Sequence, residues 1–98
     1  MTLDDLYKII CDRRDHPTAN SYTAKLMNSG EDEILKKVGE EAMEIILAAK
    51  GQGDIRLVEE ISDLTYHILV LLSYHHIDPQ AVMVELARRH TPITPPIS

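Results

Sequence analysis

Ninety-eight residues are enough for one domain, and a formal charge of −6 argues against the basic face that a nucleic-acid groove needs. A nucleotide substrate stays open, because a bound divalent cation inverts the local sign. The apolar share of 44% is almost wholly aliphatic, and Cys11, the single cysteine, excludes an intramolecular disulfide and a cysteine-based zinc site.

Thr2 is placed to cap a first helix, with Leu3, Leu6, Tyr7 and Ile10 along one stripe. Residues 1–10 carry Asp4 and Asp5 and lack the basic start and apolar run of a secretory signal, so a reducing, cytoplasmic setting is expected. Between residues 13 and 30 stand Pro17, Asn20, Ser21, Asn28, Ser29 and Gly30, a composition that predicts a long loop with a short helical turn at 24–27. Loops of that length are usually functional or disordered. A second helix begins at Glu31, acidic in its first turn as the macrodipole favours. Ile34, Val38, Ala42, Ile45 and Ala49 keep helical spacing along it, and Lys50 followed by Gly51 is expected to end it. Asp54 is expected to cap a third helix running to His75 or His76. Pro79 would open a fourth, with Val82 and Leu86 on its apolar face and Arg88 and Arg89 in its last turn. The longest apolar run, 68–72, is far too short to cross a bilayer. Residues 91–98 hold three prolines and are expected to form a disordered tail behind a single all-α domain of residues 1–90. The expected architecture is an antiparallel bundle of about four helices. A chain this small buries only about 60–65% of its unfolded surface, so self-association is expected to complete it as a homodimer.

Two acid pairs carry the chemistry. Glu41 with Glu44, and Glu60 with Asp63, are each spaced i, i+3, so each pair shares a helix face. On the third helix Leu57, Val58, Ile61, Leu64 and residues 68–72 cover most of the circumference, which predicts a buried helix. Glu60, Asp63 and His67 form a narrow polar stripe within it. Buried carboxylates cost several kcal/mol per ion unless paired or metal-bound. Glu41 stands at the apolar edge of the second helix, and helices joined by a short turn pack antiparallel, so the four acids are placed to face one another. All-oxygen ligation favours Mg²⁺ or Mn²⁺, and magnesium takes remaining ligands from substrate phosphates. The competing reading is a set of surface ion pairs with Lys36 and Lys37. His67 reads as a core or supporting histidine, and Arg13, Arg14 and Lys25 as either solvated charge or phosphate partners.

The acid pairs resemble the metal motif of the all-α nucleoside triphosphate pyrophosphatase superfamily, the MazG-like helical enzymes. The strings Ser21-Tyr22-Thr23-Ala24-Lys25-Leu26, Ile34-Leu35-Lys36-Lys37-Val38-Gly39-Glu40-Glu41-Ala42, and Asp63-Leu64-x-Tyr66-His67-x-Leu69-Val70-Leu71-Leu72 are similar to the phosphoribosyl-ATP pyrophosphatase family. That resemblance implies Mg²⁺-dependent hydrolysis of phosphoribosyl-ATP to phosphoribosyl-AMP and pyrophosphate in histidine synthesis. It implies Glu41, Glu44, Glu60 and Asp63 as metal ligands, and a dimer whose bundle is completed across subunits. Glu41 or Glu44 would accept the proton of the attacking water. Lys25, Lys37 and Arg13 would offset phosphate charge, and Ser21, Tyr22 and Thr23 would contact substrate. Two rivals stay open: a house-cleaning pyrophosphatase of broader specificity, and a non-catalytic helical module whose acids bridge subunits.

Overall fold

The computed structural model describes residues 1–90, and the tail expected at 91–98 lies outside the described residues. Those residues form the helices α1 (Leu3–Asp15), α2 (Tyr22–Ser29), α3 (Glu31–Gly51), α4 (Gly53–Tyr74) and α5 (Gln80–Arg89), with no strand among them. The all-α expectation holds.

Thr2 opens α1 with a reciprocal cap: its hydroxyl accepts from the Asp5 amide at 3.1 Å, and its own amide donates to the Asp5 carboxylate at 2.9 Å. The long loop expected at 13–30 is mostly helix. α1 continues to Asp15, and the Ser21 hydroxyl accepts from the Ala24 amide at 3.1 Å to start α2. A residue that reads as a turn signal is here a helix cap, because both uses exploit the same short hydroxyl. Gly30, at φ 96°, lets α2 turn directly into α3.

The second turn also differs from expectation. The Gln52 amide still reaches the Ala48 carbonyl at 3.1 Å, so the helix runs through Gly51, and Gly53 at φ 84° takes the left-handed position. Asp54 then lies in the first turn of α4 without capping it.

The long helices α3 and α4 run antiparallel, since Glu31 meets His75 at one level and Glu41 meets His67 further along. α1 lies along the second half of α4. There the Tyr7 hydroxyl donates to the Ile77 carbonyl at 2.6 Å, and Arg14 Nη1 donates to the Ser73 carbonyl at 2.6 Å. α2 fits between them, and Ile10, Leu26, Ile34, Leu69 and Val70 form the core. Each such side chain contributes about 1.5–3 kcal/mol on burial.

That core occupies one end of the hairpin. Toward the α3–α4 turn, Met43, Ile46, Leu47, Ile55, Val58 and Ile61 are exposed, Ile55 at 81%. The third predicted helix, expected to be buried nearly all round, is therefore covered only where α1 and α2 reach it. α5 packs against none of the other helices, and Val82, Met83, Val84 and Leu86 stand exposed on it. The radius of gyration, 15.4 Å, exceeds the roughly 13 Å of a compact 100-residue domain, as this open shape requires.

Candidate metal centre

At the boundary between covered and open halves of the hairpin, three carboxylates converge. Glu60 and Asp63 come from one face of α4, and Glu41 reaches across from α3. One carboxylate oxygen from each lies within 4.8 Å of the other two. Glu60 is buried, Glu41 half-buried and Asp63 exposed. Like charges at that range repel by roughly 3 kcal/mol per pair at an effective dielectric near 20, before solvent screens the exposed member. Burial is the largest cause pushing the Glu41 carboxyl above its ordinary value; His67 opposes that shift, Asp63 and Glu60 add to it, and Lys37 opposes it again.

Part of the repulsion is relieved inside the chain. The Arg56 guanidinium, one turn before Glu60, pairs with its carboxylate. His67 ties three helices together. Its Nδ1 lies 2.8 Å from the Asp63 carbonyl and 3.5 Å from Glu41 Oε1, and its Nε2 lies 2.9 Å from the Tyr22 hydroxyl. A carbonyl only accepts, so Nδ1 carries hydrogen and, in the neutral ring, Tyr22 donates to Nε2. Burial raises the Tyr22 pKa most; Lys37 lowers it, while Glu41 and Asp63 raise it.

The other residues singled out by sequence have distinct locations. Glu44, half-buried one turn beyond Glu41, lies outside the tight trio. Ser21 spends its hydroxyl on the α2 cap. Thr23 is buried and bonded to the Tyr66 hydroxyl. Arg13 pairs with Asp12 at 3.2 Å. Lys25 is exposed on α2 and lines a cavity away from the trio. Sequence reasoning overlooked Arg56, although its i, i+4 spacing to Glu60 was there to read. It also did not join His67 to Tyr22, because 45 residues separate them and only the unforeseen α2 brings them together.

Three carboxylates facing one guanidinium leave an oxygen-rich, electron-rich cluster, and these donors suit a hard divalent cation. A family model described as phosphoribosyl-ATP pyrophosphohydrolase matches residues 3–90. The chain belongs to the phosphoribosyl-ATP pyrophosphohydrolase family. Relatives support the assignment. The chain is 54% identical over 85 residues to a phosphoribosyl-ATP pyrophosphatase of Pelotomaculum thermopropionicum, covering 87% of each. It is 51% identical over 87 residues to one from Trichlorobacter lovleyi, covering 89% of this chain and 81% of that one. It is also 46% identical over 88 residues to the histidine biosynthesis bifunctional protein HisIE of a Nostoc species; the match covers 90% of this chain but only 41% of that larger protein. The enzyme family is metal-dependent, and among the described residues the acidic trio is the cluster that could hold an ion. No described helix is long and apolar enough to cross a membrane.

Proposed function

We propose that this chain hydrolyses phosphoribosyl-ATP to phosphoribosyl-AMP and pyrophosphate, the second step of histidine biosynthesis, with Mg²⁺ as cofactor and Mn²⁺ as a substitute. The observation that carries the reading is the convergence of Glu41, Glu60 and Asp63 from two antiparallel helices in a chain of this family. These three would hold the ion, and Glu44 joins them from the same face of α3. When bound, the ion neutralises charge on the phosphate oxygens and lowers the pKa of a coordinated water.

The chain's own residues supply the remaining work. Water attacks the α-phosphorus, the bond to the bridging oxygen of the β-phosphate breaks, and pyrophosphate leaves. Glu44, outside the tight trio, is the carboxylate we assign to accept the water's proton. Lys37, one turn before Glu41, and Tyr22, bonded to His67, would meet phosphate oxygens, since phosphoryl transfer depends on position and electrostatics. His67 holds Tyr22 in place. Arg56 pairs with Glu60 and would give way to a cation there. Residues 1–90 act as one domain in the cytoplasm, and a second copy covers the exposed apolar half of the hairpin to give a homodimer.

The test is pyrophosphate release from phosphoribosyl-ATP, with and without Mg²⁺, beside the same assay on common nucleoside triphosphates. Metal-dependent release selective for phosphoribosyl-ATP supports the reading. Equal rates on all substrates would replace it with a broad house-cleaning activity, and no release under any condition would leave a non-catalytic helical module.

A further inference from the structure

An acidic chain carries a cavity walled in part by basic side chains. The cavity, about 650 Å³, lies among the α1–α2 connection, α2 and the end of α4, and its lining includes Arg14, Thr18, Lys25, Asn28, Tyr74 and His76. No carboxylate lines it among the described residues. In a molecule of net charge −6 that is the reverse of the average surface, and the volume falls within the range of small-molecule sites.

The donors are not equivalent. Arg14 is fastened, giving Nη1 to the Ser73 carbonyl and hydroxyl at 2.6 and 3.1 Å and its other edge to Asp15 at 2.8 and 3.1 Å. It forms a wall. Lys25 and His76 are exposed, and no hydrogen bond or ion pair engages the Lys25 ammonium or the His76 ring among the described residues. His76 adopts φ 56°, a left-handed conformation uncommon outside glycine and asparagine, and in it the ring is one wall of the cavity. The Tyr74 ring and the apolar groups of Ala24 and Met27 supply a partly apolar surface beside Lys25 and His76.

Position gives this cavity meaning. Tyr74 follows Asp63 by eleven residues of continuous helix, which puts it roughly 16 Å along α4 from the carboxylate trio. The α2 helix bridges the interval: Tyr22 at its start meets His67 beside the carboxylates, and Lys25 one turn later lines the cavity. The substrate proposed above is an elongated dianionic-ended molecule, with a triphosphate on one ribose and a phosphate monoester on a second ribose across the purine. Two anionic ends need two cationic places, and the cleavage centre is only one of them.

We infer that the Arg14–Lys25–His76 cavity binds the sugar-phosphate end of the substrate, the end that ATP lacks, and so sets specificity. The inference rests on the function proposed above. Binding energy there is far from the scissile bond and is felt equally by ground and transition states, so it acts on KM rather than kcat.

The test uses the full chain, wild type beside Lys25→Met and His76→Asn, the latter keeping a side chain that tolerates positive φ. Steady-state rates with phosphoribosyl-ATP are expected to show KM raised roughly 5- to 30-fold in each variant, with kcat within about twofold. Ribose 5-phosphate titrated calorimetrically into the protein is expected to bind the wild type and to bind each variant at least about fivefold more weakly, the loss of one charge-assisted hydrogen bond. Inorganic phosphate is expected to bind more weakly than ribose 5-phosphate. An unchanged KM in both variants overturns the inference, as does ribose 5-phosphate binding that is absent or insensitive to both substitutions. Equal binding of inorganic phosphate and ribose 5-phosphate overturns it too, leaving a general anion patch. A wild type that releases no pyrophosphate sinks the enzymatic reading instead, while the titration still judges the cavity as a sugar-phosphate site.

Discussion

The two halves of the α3–α4 hairpin carry the same kind of sequence and reach different ends. In the half covered by α1 and α2, Ile34 and Val70 are fully buried. In the half toward the turn, Met43, Ile46, Ile55 and Val58 keep the same helical spacing and face outward. Apolar periodicity therefore marks which face seeks a partner, not whether that partner lies in the same chain. The carboxylate trio sits where the two regimes meet: Glu60 is buried although it lies toward the turn, and Asp63 opens to solvent. A cation site benefits from both, since low dielectric strengthens ligation and an open edge admits the substrate's phosphates.

The sharpest break of this comparison is at the boundary itself. Asp63→Ala is expected to lower kcat for phosphoribosyl-ATP by roughly 10³-fold while the far-ultraviolet circular dichroism spectrum keeps its helical shape; retained turnover would remove Asp63 from the site. Within the covered half, Ile34→Ala is expected to destabilise by about 2–5 kcal/mol in urea unfolding. The matching change in the open half, Ile55→Ala, is expected to stay within about 0.5 kcal/mol for the dissociated chain. Equal losses at the two positions would erase the distinction between the halves.

A subtler effect follows from Glu41. Its carboxyl titrates above the ordinary 4.5, chiefly through burial, with His67 opposing and Asp63 and Glu60 adding. Stability tied to this group is thus fully present below pH 4.5 and is lost as pH rises through its higher folded value. In metal-free protein, Glu41→Gln should melt above wild type at pH 7 and level with it near pH 4. A variant that melts lower at pH 7 would mean the trio is not under electrostatic strain. Smallest of all, Tyr7→Phe removes the hydroxyl that donates to Ile77 and is expected to cost about 1 kcal/mol in the same unfolding experiment. Burial, followed by Cys11, pushes that phenol up to about 12, so it stays protonated and donating across the usual pH range.

Much of this was legible in the residues. The helical spacing of Ile34 and Ile45, the Thr2 cap and the acid pairs led to an all-α chain with carboxylates on facing helices. The family strings led to the substrate. What was hidden has physical causes. Ser21 is ambiguous locally, because a capping hydroxyl and a loop hydroxyl look alike until the following residues find a core, as Ala24 and Leu26 do. Gly51 stays in the helix because the Gln52 amide, one residue before Gly53, still has its partner in the Ala48 carbonyl. Lys25 was grouped with the scissile phosphates because sequence gives a charge but no direction, and α2 turns it toward a separate cavity. The sequence overstates the burial of α4 because periodicity marks an apolar face without saying how much of it the chain covers.

The claim on which the rest depends is that Glu41, Glu60 and Asp63 meet to receive a hard divalent ion. Thermal unfolding at neutral pH, with and without saturating Mg²⁺, tests it in wild type and Asp63→Asn. At about a hundredfold excess over the dissociation constant, ligation adds roughly 2.7 kcal/mol, so the wild-type midpoint should rise by about 10 °C or more and the variant's should stay put. A wild-type midpoint indifferent to both Mg²⁺ and Mn²⁺, or a variant that rises equally, would contradict the account.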